Sequence, residues 1–411
     1  MSIGAQNSAP VVQSEMTRIE PGIPVSPPNQ KAFSQWLDFF RWMSALAVVF
    51  AHSENRFLVR LTDVDAAHRT IPFYLFSFIA GFAHPAVMIF FVLSGYLVGG
   101  GLWQEARRHG SIDLSQYFVK RVSRLCIVLY PAFLLIAALN LFSTYAFHGA
   151  PTGSMGPSSL ACNAAFFETS LCNSYGGDGA LWSLFNEFWY YVAWPLLVLA
   201  WLVRTTWMRT VLIGSACVLL TLLTLTQSRE SSAIGPYMLI WILGVGVAAA
   251  PRPFIRSCLA SAALFGADLM AVRILVRRTY GDVHPVGMFF VDLSESLLFA
   301  NLLISMKHYR ALASPIGHAR HTWLAAFSFS LYCIHTPILN LYASAFRHYS
   351  GQDPKMLPDH LWTWGVIFGA MALSIIGAFL FSRLTEAHTV RLRTFILDIL
   401  QYGRRNSIAA H

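Results

Sequence analysis

Charge is what this chain has least of. Asp, Glu, Lys and Arg make up 12% of its 411 residues, too few to clothe a water-soluble protein of that length. Cysteine is also scarce, at six, which excludes a small scaffold framed by disulfides. No apolar core of the signal-peptide kind stands near the start. The first thirty residues are instead polar and rich in Ser, Pro and Gln, and read as a disordered cytoplasmic tail. No internal repeat of the type carried by many transporters is visible. The stretch 148–181 contains neither Lys nor Arg.

Hydrophobicity is what the chain has instead, at 55% of residues. Apolar runs recur from residue 36 to 386, several longer than the roughly 18 residues of a membrane-crossing helix. The pattern predicts an all-α, polytopic integral membrane bundle of about ten transmembrane helices. They fall near 36–56, 78–103, 124–147, 182–203, 210–226, 235–250, 255–275, 284–305, 322–345 and 361–385. That division leaves a tail over 1–33, a membrane domain over 34–386 and a short basic tail over 387–411. The net charge of +9 is not spread evenly. It gathers in alternate loops, at Arg107, Arg108, Lys120, Arg121 and Arg124, at Arg204 and Arg209, at Arg252 and Arg256, and at Lys307, Arg310 and Arg320. The C-terminal tail adds Arg391, Arg393, Arg404 and Arg405. By the positive-inside rule these loops and both termini face the cytoplasm of an inner (plasma) membrane. Arg273, Arg277 and Arg278 break the alternation. Such a distribution suits anionic lipid headgroups and gives no sign of a nucleic-acid partner. Four cysteines (Cys126, Cys217, Cys258, Cys333) fall in or near spans, where they serve as small apolar fillers. Cys162 and Cys172 share the outer loop segment "CNAAFFETSLC". A disulfide fits if that loop meets an oxidising compartment, but spacing alone fixes no bond.

Ionisable residues inside apolar spans are costly and mark function. The first span, "FRWMSALAVVFAH", carries Arg41 and His52. Eleven helical steps are three turns plus about 20°, so both share a face, about 16 Å apart along the axis. Two readings stand: a cation and a proton-transfer group on one functional face, or a snorkelling Arg with a His at the far interface. Ser94 and Gly95 lie in the middle of the second span, where they serve either helix packing or ligand contact; His84 opens that span as an interfacial residue. Arg121 and Arg124, three apart, offer two guanidinium forks suited to a phosphate, or are ordinary cytoplasmic charge. Glu187, early in "LWSLFNEFWYYVAWP", requires a partner, and the natural candidate at similar depth is His52. His335 in "FSFSLYCIHTPIL" reaches the same half of the membrane. Asp268, Asp292 and Glu295 read as structural acids, partners of Arg273.

Taken in order, these stretches resemble the acyltransferase type 3 family of integral membrane proteins, which acylate carbohydrates. "LDFFRWMSALAVVFAH" is similar to the family's first span, "FFVLSGYL" to its second, and "KRVSRLCIVLYP" to its Arg-x-x-Arg approach to the third. "WSLFNEFWY" is similar to its Trp-Ser-Leu-x-x-Glu segment and "FSLYCIHTPIL" to its Tyr-x-x-His-x-Pro. The chain departs where the family often has Gly after the first arginine, since Trp42 stands there. It also lacks the periplasmic hydrolase-like domain fused to some members.

The resemblance implies an acyl-CoA donor, commonly acetyl-CoA, with no metal, and a carbohydrate or glycolipid acceptor. Arg121, Arg124 and Arg41 would hold the nucleotide phosphates, with the pantetheine arm passing Ser94. His52 would act as general base or carry the acyl group, Glu187 would orient it, and His335 would be a supporting or alternative base. The rival is a transporter or exporter whose buried acids and histidines relay protons without chemistry; a non-catalytic scaffold would not need the Arg–His face. Oligomeric state, acceptor and acyl chain are not legible.

Overall fold

The structure, a computed structural model, describes residues 28–168, 170–227, 233–276, 285–309 and 317–409. Most of the expected N-terminal tail lies outside those residues, as do Arg277, Arg278, Arg310 and the side chains of Arg404 and Arg405. Helix accounts for 81% of it, and no strand forms among the described residues. The helices are α1 (Pro28–Phe57), α2 (Ile71–Ala80), α3 (Ala83–Ser94), α4 (Gly100–His109), α5 (Leu114–Phe147), α6 (Pro157–Ala164), α7 (Trp182–Leu202) and α8 (Thr206–Thr226). There follow α9 (Ile234–Ala249), α10 (Cys258–Ala271), α11 (Pro285–His308), α12 (His318–Ala325), α13 (Ser328–Ser350), α14 (Leu361–Leu384) and α15 (Thr389–Ala409). The basic C-terminal segment is therefore helical, and it packs against α5.

Six of these segments are long and apolar enough to cross a membrane, or seven if the pair α12–α13, bent by 47°, is one span. The expected number was ten. At 16 residues α9 is short. Neither α1 nor α7 reaches the required apolarity, because Asp38, Arg41 and His52 interrupt one and Asn186 and Glu187 the other. Both are interior helices. In α1 the side chains of Ala45, Val48 and Val49 are buried, and the helix packs against α2, α3, α12, α13 and α14. Helices that meet one another rather than lipid can carry polar residues, and these lower their apolarity.

Local sequence sets the ends that matter for the site. Asp113 caps α5, its carboxylate accepting the Gln116 N–H at 2.9 Å, and so starts the helix seven residues before Arg121. The second span runs through α3, a π-helical turn at Gly95–Gly99 and α4. Its close neighbour is α9. A Cβ on Gly95 would stand 1.8 Å from the Trp241 carbonyl oxygen, and one on Gly244 would stand 2.0 Å from that of Val92. Only glycine on both sides allows backbones this near. At the far end from Arg41, the loop between α5 and α7 folds back as a cap. Asp178, Ala180 and Leu181 are all buried there, and Cys162 and Cys172 form a disulfide.

Candidate active site

The Gly95–Gly244 contact aims the Trp241 indole at Ser94. Its N–H donates to Ser94 Oγ at 3.0 Å. That leaves the single Ser94 proton to donate to Glu187 Oε1, which also accepts the Tyr191 hydroxyl. Two O–H donors on one carboxylate oxygen hold Glu187 in a fixed pose. A π turn directly after Ser94 fits the tendency of such turns to fall at functional sites.

Glu187 and Ser94 line a narrow chamber of about 100 Å³, with Tyr191, Leu97, Phe90 and Tyr332 among its walls. The chamber meets a wider vestibule of about 540 Å³, and Arg41, Arg121 and Arg124 line both. The vestibule adds Lys120 and Arg393, so five cations face the two acids Asp38 and Glu386. Those acids are already engaged. Asp38 lies 3.7 Å from Arg41 and accepts the Thr322 hydroxyl at 2.9 Å. Glu386 accepts the Ser330 hydroxyl at 2.9 Å. Arg121 leans over the Tyr117 ring at 5.9 Å, and its buried Nε has no hydrogen-bond partner. An orphaned guanidinium N–H beside surplus positive charge is chemistry that suits an anion.

His52 and His335 stand together, ring centroids 4.9 Å apart and edge to face. His335 Nδ1 lies 3.0 Å from the carbonyls of Leu331 and Tyr332, so that nitrogen carries the proton. Nε2 is then an acceptor, 3.3 Å from Thr336 Oγ1. Neither histidine lines the chamber. Tyr332 stands between: its ring faces the chamber and lies 6.2 Å from the His335 ring. Its hydroxyl donates to the Ala180 carbonyl at 2.5 Å and lies 2.7 Å from Ser183 Oγ.

One pairing read from the sequence is thereby corrected. Glu187 does not partner His52; it is bound to Ser94 and Tyr191. The reason is depth. The segment before α7 is itself buried at Asp178, Ala180 and Leu181, so α7 does not start at the protein surface. Arg41, Ser94, Arg121, Arg124 and Glu187 do come together, while His52 and His335 form a second group behind Tyr332. Among the acids of the far bundle, Asp292 also differs from expectation. Arg273 donates to the Ser77 and Phe78 carbonyls at 2.8 and 3.2 Å, satisfying the C-terminus of α2. Asp292 instead meets His84 Nε2 at 2.8 Å and accepts the Tyr237 hydroxyl at 2.6 Å. Trp42 has a local account: its N–H donates to His321 Nδ1 at 3.1 Å and the rings stack.

Four contributors escaped the sequence reading: Tyr191, Trp241, Tyr332 and Glu386. Tyr191 was within reach, because it lies one helical turn after Glu187. Trp241 sits 147 residues from Ser94, and nothing local connects them.

The fold and this site define a multi-pass membrane protein whose arginine-lined cleft narrows toward a carboxylate and a pair of histidines. The profile of the acyltransferase domain family matches residues 34–383. The chain belongs to that family, the acyltransferase type 3 group that its motifs resemble. No curated protein and no solved structure matches it.

Proposed function

We propose that the protein transfers an acyl group, by default acetyl, from cytoplasmic acyl-CoA to a hydroxyl of a cell-surface or secreted carbohydrate. The observation that carries this reading is the shape and charge of the cleft: a wide cationic vestibule opening into a slender, largely apolar chamber. A nucleotide bearing phosphates suits the first, and a pantetheine arm the second. Arg41, Arg121 and Arg124 hold the phosphates, and Glu187, Ser94 and Tyr191 offer hydrogen bonds to the arm's amides.

The thioester then lies at Tyr332. His52 takes the proton of the acceptor hydroxyl as its oxygen attacks the thioester carbon; the C–S bond breaks, and the proton passes to the departing thiolate. An acyl-imidazole formed on His52 and then captured by the hydroxyl balances equally well. In this reading the bundle crosses an inner membrane ten times with both termini cytoplasmic, so the vestibule faces the cytoplasm. The disulfide between Cys162 and Cys172 supports an oxidising surface for the opposite loop.

Mass spectrometry of surface and secreted glycans, with and without the gene, tests the activity. Loss of acyl groups on deletion, restored by the wild type and not by His52→Ala, is expected. Identical glycans in all strains would refute it.

A further inference from the structure

The reaction drawn above makes no use of a buried acid close to the histidines. Asp178, in the loop before α7, is 1% exposed. Its Oδ1 accepts the Ala180 N–H at 3.4 Å, and Oδ2 has no hydrogen-bond partner. No Lys or Arg occurs anywhere on its own loop, 148–181. The groups facing it from neighbouring elements are Thr336, Tyr332 and Cys333 of α13, with Ser183 of α7 and Glu168 of the same loop nearby. None is a cation. The nearest bases are His335 and, beyond it, His52 of α1.

The Thr336 hydroxyl lies between these groups. It faces the Asp178 carboxyl on one side and lies 3.3 Å from His335 Nε2 on the other. A hydroxyl has one proton, so two arrangements are complete once the unpartnered Oδ2 closes on Thr336 Oγ1. In one, the Asp178 acid donates to Thr336 Oγ1, which donates to bare Nε2. In the other, an imidazolium Nε2–H donates to Oγ1, which donates to the carboxylate. Two short proton hops through one oxygen interconvert them, and no atom is lost or gained.

We propose that Asp178 is the acid partner of the histidine pair, acting through the Thr336 hydroxyl as a positioning residue that balances positive charge on the imidazoles. This is the role the sequence suggested for Glu187, and it rests on the histidines being the site of transfer. Burial pushes the Asp178 carboxyl up to about 7, against the opposing influence of Thr336 and the Ala180 N–H. The acid thus changes protonation near neutral pH, beside a hydroxyl that contacts the imidazole.

Infrared difference spectra of the purified full-length protein across pH 5–9 test this without an acceptor, by following the C=O stretch of protonated carboxyl groups. The wild type is expected to show a band titrating near neutrality that is absent from Asp178→Asn, a substitution that keeps capping ability. Thr336→Val and His335→Gln should each move its midpoint by about one unit, a tenfold change in proton affinity. Thr336→Ser should restore it. A band that Asp178→Asn does not remove, or a midpoint indifferent to both other substitutions, would overturn the proposal and leave Asp178 a structural cap. Acetyl-CoA affinity, measured on the same samples, should be unchanged in all four variants. Failure of the wild type to bind acetyl-CoA would sink the acyl-donor reading while leaving the coupling of Asp178 to the histidines intact.

Discussion

Replacing Arg121 and Arg124 together by alanine should strip the vestibule of its phosphate grip. A charge-assisted hydrogen bond is worth roughly 1.5–3 kcal/mol. Arg121 belongs at the upper end, because its Nε is already buried and unpaired, so anion binding costs it little further desolvation. Arg124 is exposed to the cleft and belongs at the lower end, where water and salt screen it. The sum is about 4 kcal/mol, or roughly a thousandfold in affinity. Isothermal titration of detergent-solubilised protein with acetyl-CoA reads this directly. Dephospho-CoA supplies the control: the wild type should prefer the fully phosphorylated form, and the double variant should lose most of that preference. Raising salt from about 0.1 to 1 M shortens the screening length from roughly 10 to 3 Å and should weaken the wild type more than the variant. A folded double variant with unchanged affinity, or an unchanged preference between the two coenzymes, would refute the assignment of the vestibule.

His52→Ala should lower acyl transfer by about a hundredfold to ten-thousandfold, more if the imidazole carries the acyl group, while acetyl-CoA still binds, as checked by turnover and titration. Gly95→Ala forces a methyl against the Trp241 carbonyl and should cost about 3 kcal/mol or more, seen as a lower melting temperature in detergent. Reduced Cys162 and Cys172 should react with a thiol reagent that cannot cross the membrane, applied to intact cells. Replacing both by serine should lower stability by about 3 kcal/mol through loop closure. The Asp178 carboxyl is raised from 3.8 to about 7, so between those values the folded chain keeps a proton that the unfolded chain has released. Stability from this group therefore falls as pH rises through that window and is level above it, by on the order of 4 kcal/mol in all. Asp178→Asn should flatten that part of the pH dependence of melting, and an unchanged slope would remove Asp178 as its source.

Much of the helical plan was legible because apolar runs long enough to span are a one-dimensional signal. The Arg-x-x-Arg spacing places both guanidinia at the same cleft, which Ser94 and Glu187 also line. The Glu187–His52 pairing failed for a reason no spacing could reveal. It assumed that α7 begins at the surface, whereas the segment ahead of it is buried, at Asp178, Ala180 and Leu181. Trp241 and Asp178 were invisible for the same kind of cause: each acts across elements distant in the chain. In α1 and α7 the residues that lower hydropathy include the ones the motifs single out, Arg41, His52 and Glu187.

The two hydrogen bonds that pin the Tyr332 hydroxyl make that ring a fixed wall of the chamber, on the side of the histidine pair. A donor seated by its phosphates is then measured from the other end. An acetyl group would sit within the space available, whereas each added methylene would press on an aromatic wall tied to two helical elements. Selectivity for acyl length would thus arise as in a depth gauge, from the distance between a charged rim and a phenol, with no residue dedicated to recognising the acyl chain.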